Sequence, residues 1–158
     1  MSSARVFIQT GDFDLQQEVA ALHAGDGRVG AVCTFVGTVR DRNHGSDVSS
    51  MELEHYPGMT EKAIEAMIDD AHRRFDILGA RVVHRIGRLE PPDRIMMVAV
   101  VSAHRGQSFQ ACEFLMDYLK TQAPFWKKER TPEGARWVDA RVADDAALAR
   151  WGIDATNA

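Results

Sequence analysis

The stretch that most constrains this chain is residues 94–103, Arg-Ile-Met-Met-Val-Ala-Val-Val-Ser-Ala. Every residue from Ile95 to Val101 is apolar, so a strand built from it has no face suited to water. It predicts a central strand covered on both sides. Residues 81–86 predict a second strand, joined to the first through Pro91-Pro92-Asp93. Such a pair suits antiparallel neighbours. With the order of elements around it, the pattern fits an α+β fold with a mixed, largely antiparallel sheet better than a doubly wound one.

Two helices stand out. Ala63, Ile64, Met67, Ile68, Ala71 and Phe75 recur at helical spacing, with Thr60 as cap and Gly79 just past the end. Glu61 in the first turn and His72, Arg73 and Arg74 near the last suit the helix dipole. Ser108 opens a second helix, with Phe109, Cys112, Met116 and Leu119 as its expected inward stripe and Glu113, Asp117 and Lys120 on the polar flank. Pro124 forces the chain out of it. Residues 116–129 then read as a helix end running into a proline-broken aromatic loop. Lys120 and Lys127 sit on either side of the break, and Phe125 and Trp126 need cover.

Around these, Val6-Phe7-Ile8 predicts a short strand, and Asp14 with Gln17 a capping box for a helix over 15–24. Residues 25–30 spell GxGxxG, but they leave a helix and enter a β-rich run. Dinucleotide binding needs the reverse order, so they are a turn. Residues 30–39 predict a β-branched strand ending before Arg40, 41–49 a polar, mobile loop, and 51–56 a half-exposed strand stopped by Pro57-Gly58. Residues 136–142 predict a last strand and 144–151 a short helix, with fraying beyond Gly152. Without repeats or a linker, one domain over 1–158 is expected, with about 143–158 weakly determined.

The 158 residues are 45% hydrophobic and 27% charged, an ordinary globular balance, and the net charge of −4 disfavours a dedicated nucleic-acid binder. Cys33 and Cys112 form no CxxC motif and read as buried free thiols in a reducing compartment. The N-terminus carries no apolar signal core, and the longest apolar run is too short to span a bilayer. A soluble, cytoplasmic protein without a membrane partner is expected.

The six histidines (23, 44, 55, 72, 84 and 104) show no zinc spacing, and neither GxSxG nor a Walker A motif occurs. Glu52 and Glu54 share a strand face and read as a solvated pair. What remains is basic. Arg40 ends a strand before a polar loop, His104 and Arg105 lie between a strand and a helix start, and Lys120, Lys127 and Lys128 come from the helix end and loop. Each alone reads more readily as structural. Together they describe a pocket for a small anionic, phosphorylated ligand, with no metal and no nucleotide.

Four blocks carry a resemblance: Leu53-Glu-His-Tyr-Pro-Gly-Met-Thr-Glu-Lys62, His84-Arg-Ile-Gly87, Ser102-Ala-His-Arg105 and Met116-Asp-Tyr-Leu-Lys-Thr-Gln-Ala-Pro-Phe-Trp-Lys127. In register from Gly30 through Trp137, they resemble the large, catalytic subunit of molybdopterin synthase. The last block is the specific one; Gln122 within it departs from the basic residue often found there. The resemblance implies an α/β-hammerhead fold and a homodimer. It also implies a partner on each protomer, a small ubiquitin-like sulfur-carrier subunit, completing a heterotetramer. The carrier's C-terminal Gly-Gly thiocarboxylate would deliver two sulfurs to cyclic pyranopterin monophosphate, giving the dithiolene of molybdopterin, with no cofactor.

Carried over by motif, Lys120 and Lys127 are catalytic, and Arg40, His104 and Arg105 bind substrate. Thr38, Val39, Lys128 and Glu129 flank those positions. The resemblance leaves open which protomer supplies His104 and Arg105 to each site. A scaffold that docks a ubiquitin-like partner without turnover, and a phosphate- or RNA-binding domain using residues 127–130, are the rival readings. Intact lysines weigh against the first, acidic net charge and Glu129 against the second.

Overall fold

The computed structural model describes residues 4–43, 45–138 and 142–153 of the chain. In order, the elements are β1 (Val6–Gln9), α1 (Leu15–His23), β2 (Ala31–Thr38), β3 (Arg42–Asn43), β4 (Ser46–Asp47), β5 (Ser50–His55) and α2 (Met59–Arg74). There follow β6 (Gly79–Arg85), β7 (Gly87–Leu89), β8 (Arg94–Ser102), α3 (Arg105–Gln122), β9 (Phe125–Thr131), β10 (Gly134–Val138) and α4 (Val142–Ala149). The strands divide between two four-stranded sheets, β1-β6-β8-β2 and β10-β9-β5-β7, with β3 and β4 forming a separate ladder. Among the described strands only β1 and β6 pair in parallel. The fold is α+β and largely antiparallel.

The doubly apolar stretch is β8, and its period of two explains why both faces are apolar. Met96, Val98 and Val100 face a core with Ile64, Ile68 and Ala71 of α2 and Phe114 and Leu115 of α3. Met97 and Ala99 face the other way, with Val83 and Phe13, against Leu15, Val19 and Leu22 of α1. The Asp14 carboxylate caps α1, accepting from the Gln17 N–H at 3.1 Å. The GxGxxG stretch is indeed the turn between α1 and β2. Gly30 in it has no room for a side chain, since a Cβ there would lie 2.3 Å from the Ala103 carbonyl oxygen.

Several expectations are corrected. Thr60 is not the cap of α2. Gly58, at φ +83°, occupies that position because the tight Pro57-Gly58 turn needs a left-handed residue there. Gly79 is not a helix stop but the first residue of β6, and α2 ends at Arg74 with Phe75 as its C-cap. Phe109 is 61% exposed, and the buried stripe of α3 runs through Ser108, Ala111, Cys112, Leu115 and Leu119. A helix turns about 100° per residue, so the position beside Ser108 swings out of that stripe.

Within 41–49, β3 and β4 pair where a mobile loop was expected, and Val48 is buried; His44 lies outside the described residues. The stretch after Pro124 is strand β9, not a loop, held by pairing with β5 from Ser50↔Arg130 to His55↔Phe125. The expected strand over 136–142 is β10, starting at Gly134, while residues 139–141 lie outside the described residues. After it, Leu148 of α4 is fully buried, and Trp151 packs edge-on against Phe75 and Phe114 at 5.7 and 5.5 Å.

Candidate active site

Strand alternation sorts the residues of β9. Side chains at 125, 127 and 129 point to one face and those at 126, 128 and 130 to the other. Phe125, Lys127 and Glu129 lie opposite His55, Leu53 and Met51 of β5, on the side where Met51, Leu53, Leu89 and Val39 form a small core. Lys128 is on the opposite face, across from exposed Glu52, with its ammonium 5.6 Å from the Trp137 ring.

Glu129 is only 2% exposed, unusual for a carboxylate. It is compensated by donors: Asn43 Nδ2 at 2.7 Å and Arg136 Nη2 at 3.4 Å, with Lys127 Nζ at 3.9 Å. A buried charge needs such partners. Arg136 also donates to the Asn43 carbonyl at 3.1 Å, so one carboxylate ties β3 to the β9–β10 hairpin beside Lys127.

Lys120 is exposed in the last turn of α3, where a cation suits the helix dipole. The exit from α3 is fixed by Thr60, whose hydroxyl accepts from the Tyr56 N–H and donates to the Pro124 carbonyl, both at 3.0 Å. The aromatic pair that needed cover has it: Phe125 stacks on His84 at 3.9 Å, and Trp126 packs on Tyr56 at 4.6 Å. The His84 residue keeps some accessible surface, but its imidazole is densely surrounded. Burial pushes it down to about 4, against a raising contribution from the hydrogen bond to the Arg85 carbonyl; nearby Lys120 and His55 lower it further. His55 Nε2 is in turn 3.2 Å from the Glu61 carboxylate.

Thr38 ends β2 beyond a register shift, Val39 is buried against Leu53 and Leu89, and Arg40 is exposed. Since Leu53 is the cross-strand partner of Lys127, the 38–40 segment reaches the same side as the second lysine. Among the described residues Arg40 makes no hydrogen bond or ion pair, which leaves its guanidinium available for an anion.

His104 and Arg105 sit elsewhere. They begin α3 and line a surface hollow with Gly30, Ala103 and Gly106, where Ser102 Oγ donates to the His104 carbonyl at 2.6 Å and Ser108 Oγ to that of Arg105 at 3.0 Å. At about 1.5 Å per residue, the length of α3 puts Arg105 roughly 22 Å from Lys120. One chain therefore sets Lys120 at the end of α3, a short run of chain before Lys127 and Glu129 on β9, packs Val39 beside Leu53 across from Lys127, and leaves His104 and Arg105 at the far end of the helix.

Asn43, Arg136, Thr60, His55 and His84 were not singled out from the sequence as site residues. The available signal was alternation: once 125–131 is a strand, Glu129 shares a face with Lys127 and needs partners. Among the described residues no three His, Cys, Asp or Glu side chains converge to hold a metal ion. Cys33 and Cys112 are neighbours across β2 and α3, and burial, with Cys33 adding to it, pushes the Cys112 thiol up to about 12.

Comparison with known proteins decides the family. Residues 8–122 match the family described as MoaE protein. The chain belongs to that family. It is 63% identical over 151 residues to the molybdopterin synthase catalytic subunit of Ralstonia nicotianae, covering 96% of this chain and 86% of the relative. To the Escherichia coli protein of that name it is 48% identical, covering 96% and 100%. The Burkholderia ambifaria molybdopterin biosynthesis MoaE protein superposes with a TM-score of 0.82 at 60% identity, covering 96% of this chain and all of that one. Membership in the MoaE family makes this an enzyme subunit of the molybdopterin synthase type, acting in molybdenum cofactor biosynthesis. No helix among the described residues is long and apolar enough to cross a membrane.

Proposed function

We propose that this chain is the sulfur-transferring subunit that converts cyclic pyranopterin monophosphate to molybdopterin, using Lys120 and Lys127 as its catalytic pair. The observation that supports the reading is the short connection between them. A short exit from α3, pinned at Pro124 by Thr60, sets Lys120 at the helix end and Lys127 on the same face of β9 as Phe125.

The chemistry suits them. A thiocarboxylate on the C-terminal Gly-Gly of a small ubiquitin-like carrier is anionic, and an ammonium stabilises both it and the charge that develops as its acyl carbon is attacked. In each transfer the sulfur replaces an oxygen on a pterin side-chain carbon, the displaced oxygen leaving as water or on the opened cyclic phosphate. Water then cleaves the acyl–sulfur bond, leaving sulfur on the pterin and a carboxylate on the carrier. Lys120 assists this acyl–sulfur step. Lys127, restrained beside Glu129, positions the substrate or moves protons. Arg40 is placed to take the substrate phosphate, with Thr38 and Val39 shaping its approach. Lys128, on the opposite face of β9, contributes to the edge of the site at most.

His104 and Arg105 lie too far along α3 to reach the Lys120 of their own chain. We assign them to the site of a second copy in a homodimer, two carriers completing a heterotetramer. The relatives' description as a catalytic subunit supports a further subunit. Free thiols at Cys33 and Cys112 suit the cytoplasm.

The test mixes the chain with thiocarboxylated carrier and the cyclic pterin and measures dithiolene. Product formation is expected; none with a verified carrier overturns the reading and leaves the docking scaffold in its place.

A further inference from the structure

The buried charge of Glu129 is shared unequally by three groups. Asn43 Nδ2 donates to its Oε1 at 2.7 Å, and Arg136 Nη2 donates to its Oε2 at 3.4 Å. Lys127 Nζ stands 3.9 Å from Oε1, inside ion-pair range but beyond the length of a hydrogen bond. Arg136 is the cross-strand partner of Glu129, and Lys127 pairs with Val138 two residues further along β10. Both cations therefore rise from the same face of the sheet. Arg136 Nη2 also donates to the Asn43 carbonyl at 3.1 Å.

We propose that Arg136 is a positioning residue for Lys127: as the standing counter-ion of Glu129, it keeps the Lys127 ammonium from closing onto that carboxylate and leaves it to meet an anionic substrate. The kinetic consequence rests on the sulfur-transfer reading of Lys127; the charge sharing does not.

A buried carboxylate facing a lysine alone would draw the ammonium to a charge-assisted contact of about 2.8 Å. Here Oε1 is taken by a neutral amide and Oε2 by a guanidinium. The two cations suit different tasks. The guanidinium is planar, weakly hydrated and held by two acceptors, whereas lysine's flexible stem lets its head group move. A guanidinium bound to the substrate phosphate would offer its donors there, but both hydrogens of Arg136 Nη2 are committed to Glu129 and the Asn43 carbonyl. One that only offset a buried charge would act on stability and leave Lys127 unaffected, yet here the lysine shares the same carboxylate.

Among the described residues, the other titratable group on this face is His55 of β5, paired with Glu61 of α2 at 3.2 Å. Met51, Leu53, Leu89 and Val39 are apolar. Exposed Arg40, next to Val39, and exposed Lys120, at the end of α3, are the further cations. All of them stay in place in the variants below, so their contributions cancel in the comparison.

The first measurement uses the chain alone. The protonation midpoint of Lys127 is followed through its 13Cε and 15Nζ resonances, with Lys128, on the opposite face of the strand, as reference. Arg136→Gln should raise it by about one pH unit, Glu129→Gln should lower it, and the double variant should bring it back close to wild type. A midpoint unmoved by Arg136→Gln overturns the proposal. If Arg136→Gln strands the buried charge and does not fold, the double variant, which strands none, is compared with Glu129→Gln; equal midpoints overturn the proposal. The second measurement is kinetic. Arg136→Gln should lower kcat at least about tenfold with carrier binding near wild type, and Arg136→Lys, which keeps the charge, should recover most of the loss. A raised KM for the pterin at unchanged kcat would assign Arg136 to the phosphate and overturn the positioning role. Because the titration needs neither pterin nor carrier, failure of the sulfur-transfer reading remains distinguishable from failure of this one.

Discussion

In the first sheet, β8 sends Met96, Val98 and Val100 into one core and Met97 and Ala99 into another, and nothing charged points inward from it. In the second, β9 sends Lys127 and Glu129 inward beside Met51 and Leu53. One sheet is stabilised by apolar area that no other chemistry could replace. The other spends part of its interior on charges that need individual partners. The difference places apolar packing and inward-facing charge on separate layers, joined by α3, which packs on the first and runs on into β9 of the second.

The largest expected effect tests that separation directly. Lys120→Ala should lower turnover by at least about a thousandfold, about 4 kcal/mol, while melting temperature and carrier binding stay near wild type. Near-normal turnover would return Lys120 to the role of a helix-end cation. Leu115→Ala should do the reverse, costing about 3 kcal/mol of stability through a cavity between α3 and β8, with kcat preserved wherever the variant remains folded. Denaturant unfolding beside steady-state kinetics checks both.

Acid should probe the contact between the layers. The folded-state value for His84 is depressed to about 4 from an ordinary 6.5, so the unfolded chain binds the proton more readily. This contribution is fully present above about pH 6.5 and is lost as pH falls toward 4, at most about 3 kcal/mol. His84→Phe should flatten that part of the stability–pH curve, and an unchanged slope would assign the acid sensitivity elsewhere.

Within the second sheet the effects shrink. Glu129→Gln removes the charge that Arg136 and Lys127 face while keeping the side chain's shape, and should cost about 2 kcal/mol, discounted because both cations are partly solvated. Lys128→Ala, on the outer face, should stay within about 0.5 kcal/mol in stability and change turnover little. A large loss there would mean that strand alternation misplaces the site.

How legible each layer was follows the same division. Residues 94–102 and 59–74 announce themselves because apolar side chains recur at the period of the element. β9 does not: Phe-Trp-Lys-Lys-Glu-Arg-Thr has no apolar alternation, and its strand geometry comes from pairing with β5, a tertiary fact. The β3–β4 ladder is similarly hidden in a polar run. Phe109 misled because a large apolar residue at a helix start looks buried, and Thr60 because a threonine near a helix start looks like a cap. The lysines were legible as residues with a family resemblance, the pinned exit between them only once Pro124 and Thr60 were placed. The separation of His104 and Arg105 from Lys120 was implicit in the helix length alone.

That separation reaches into genetics. A chain damaged at Arg105 and a chain damaged at Lys120 carry lesions at opposite ends of one rod, and in the proposed homodimer those ends would serve different sites. A mixed pair then holds one site with both defects and one with neither. Two inactive alleles would restore roughly a quarter of normal activity when co-expressed in equal amounts, assuming random pairing of the chains. Two alleles damaged at the same end would restore none.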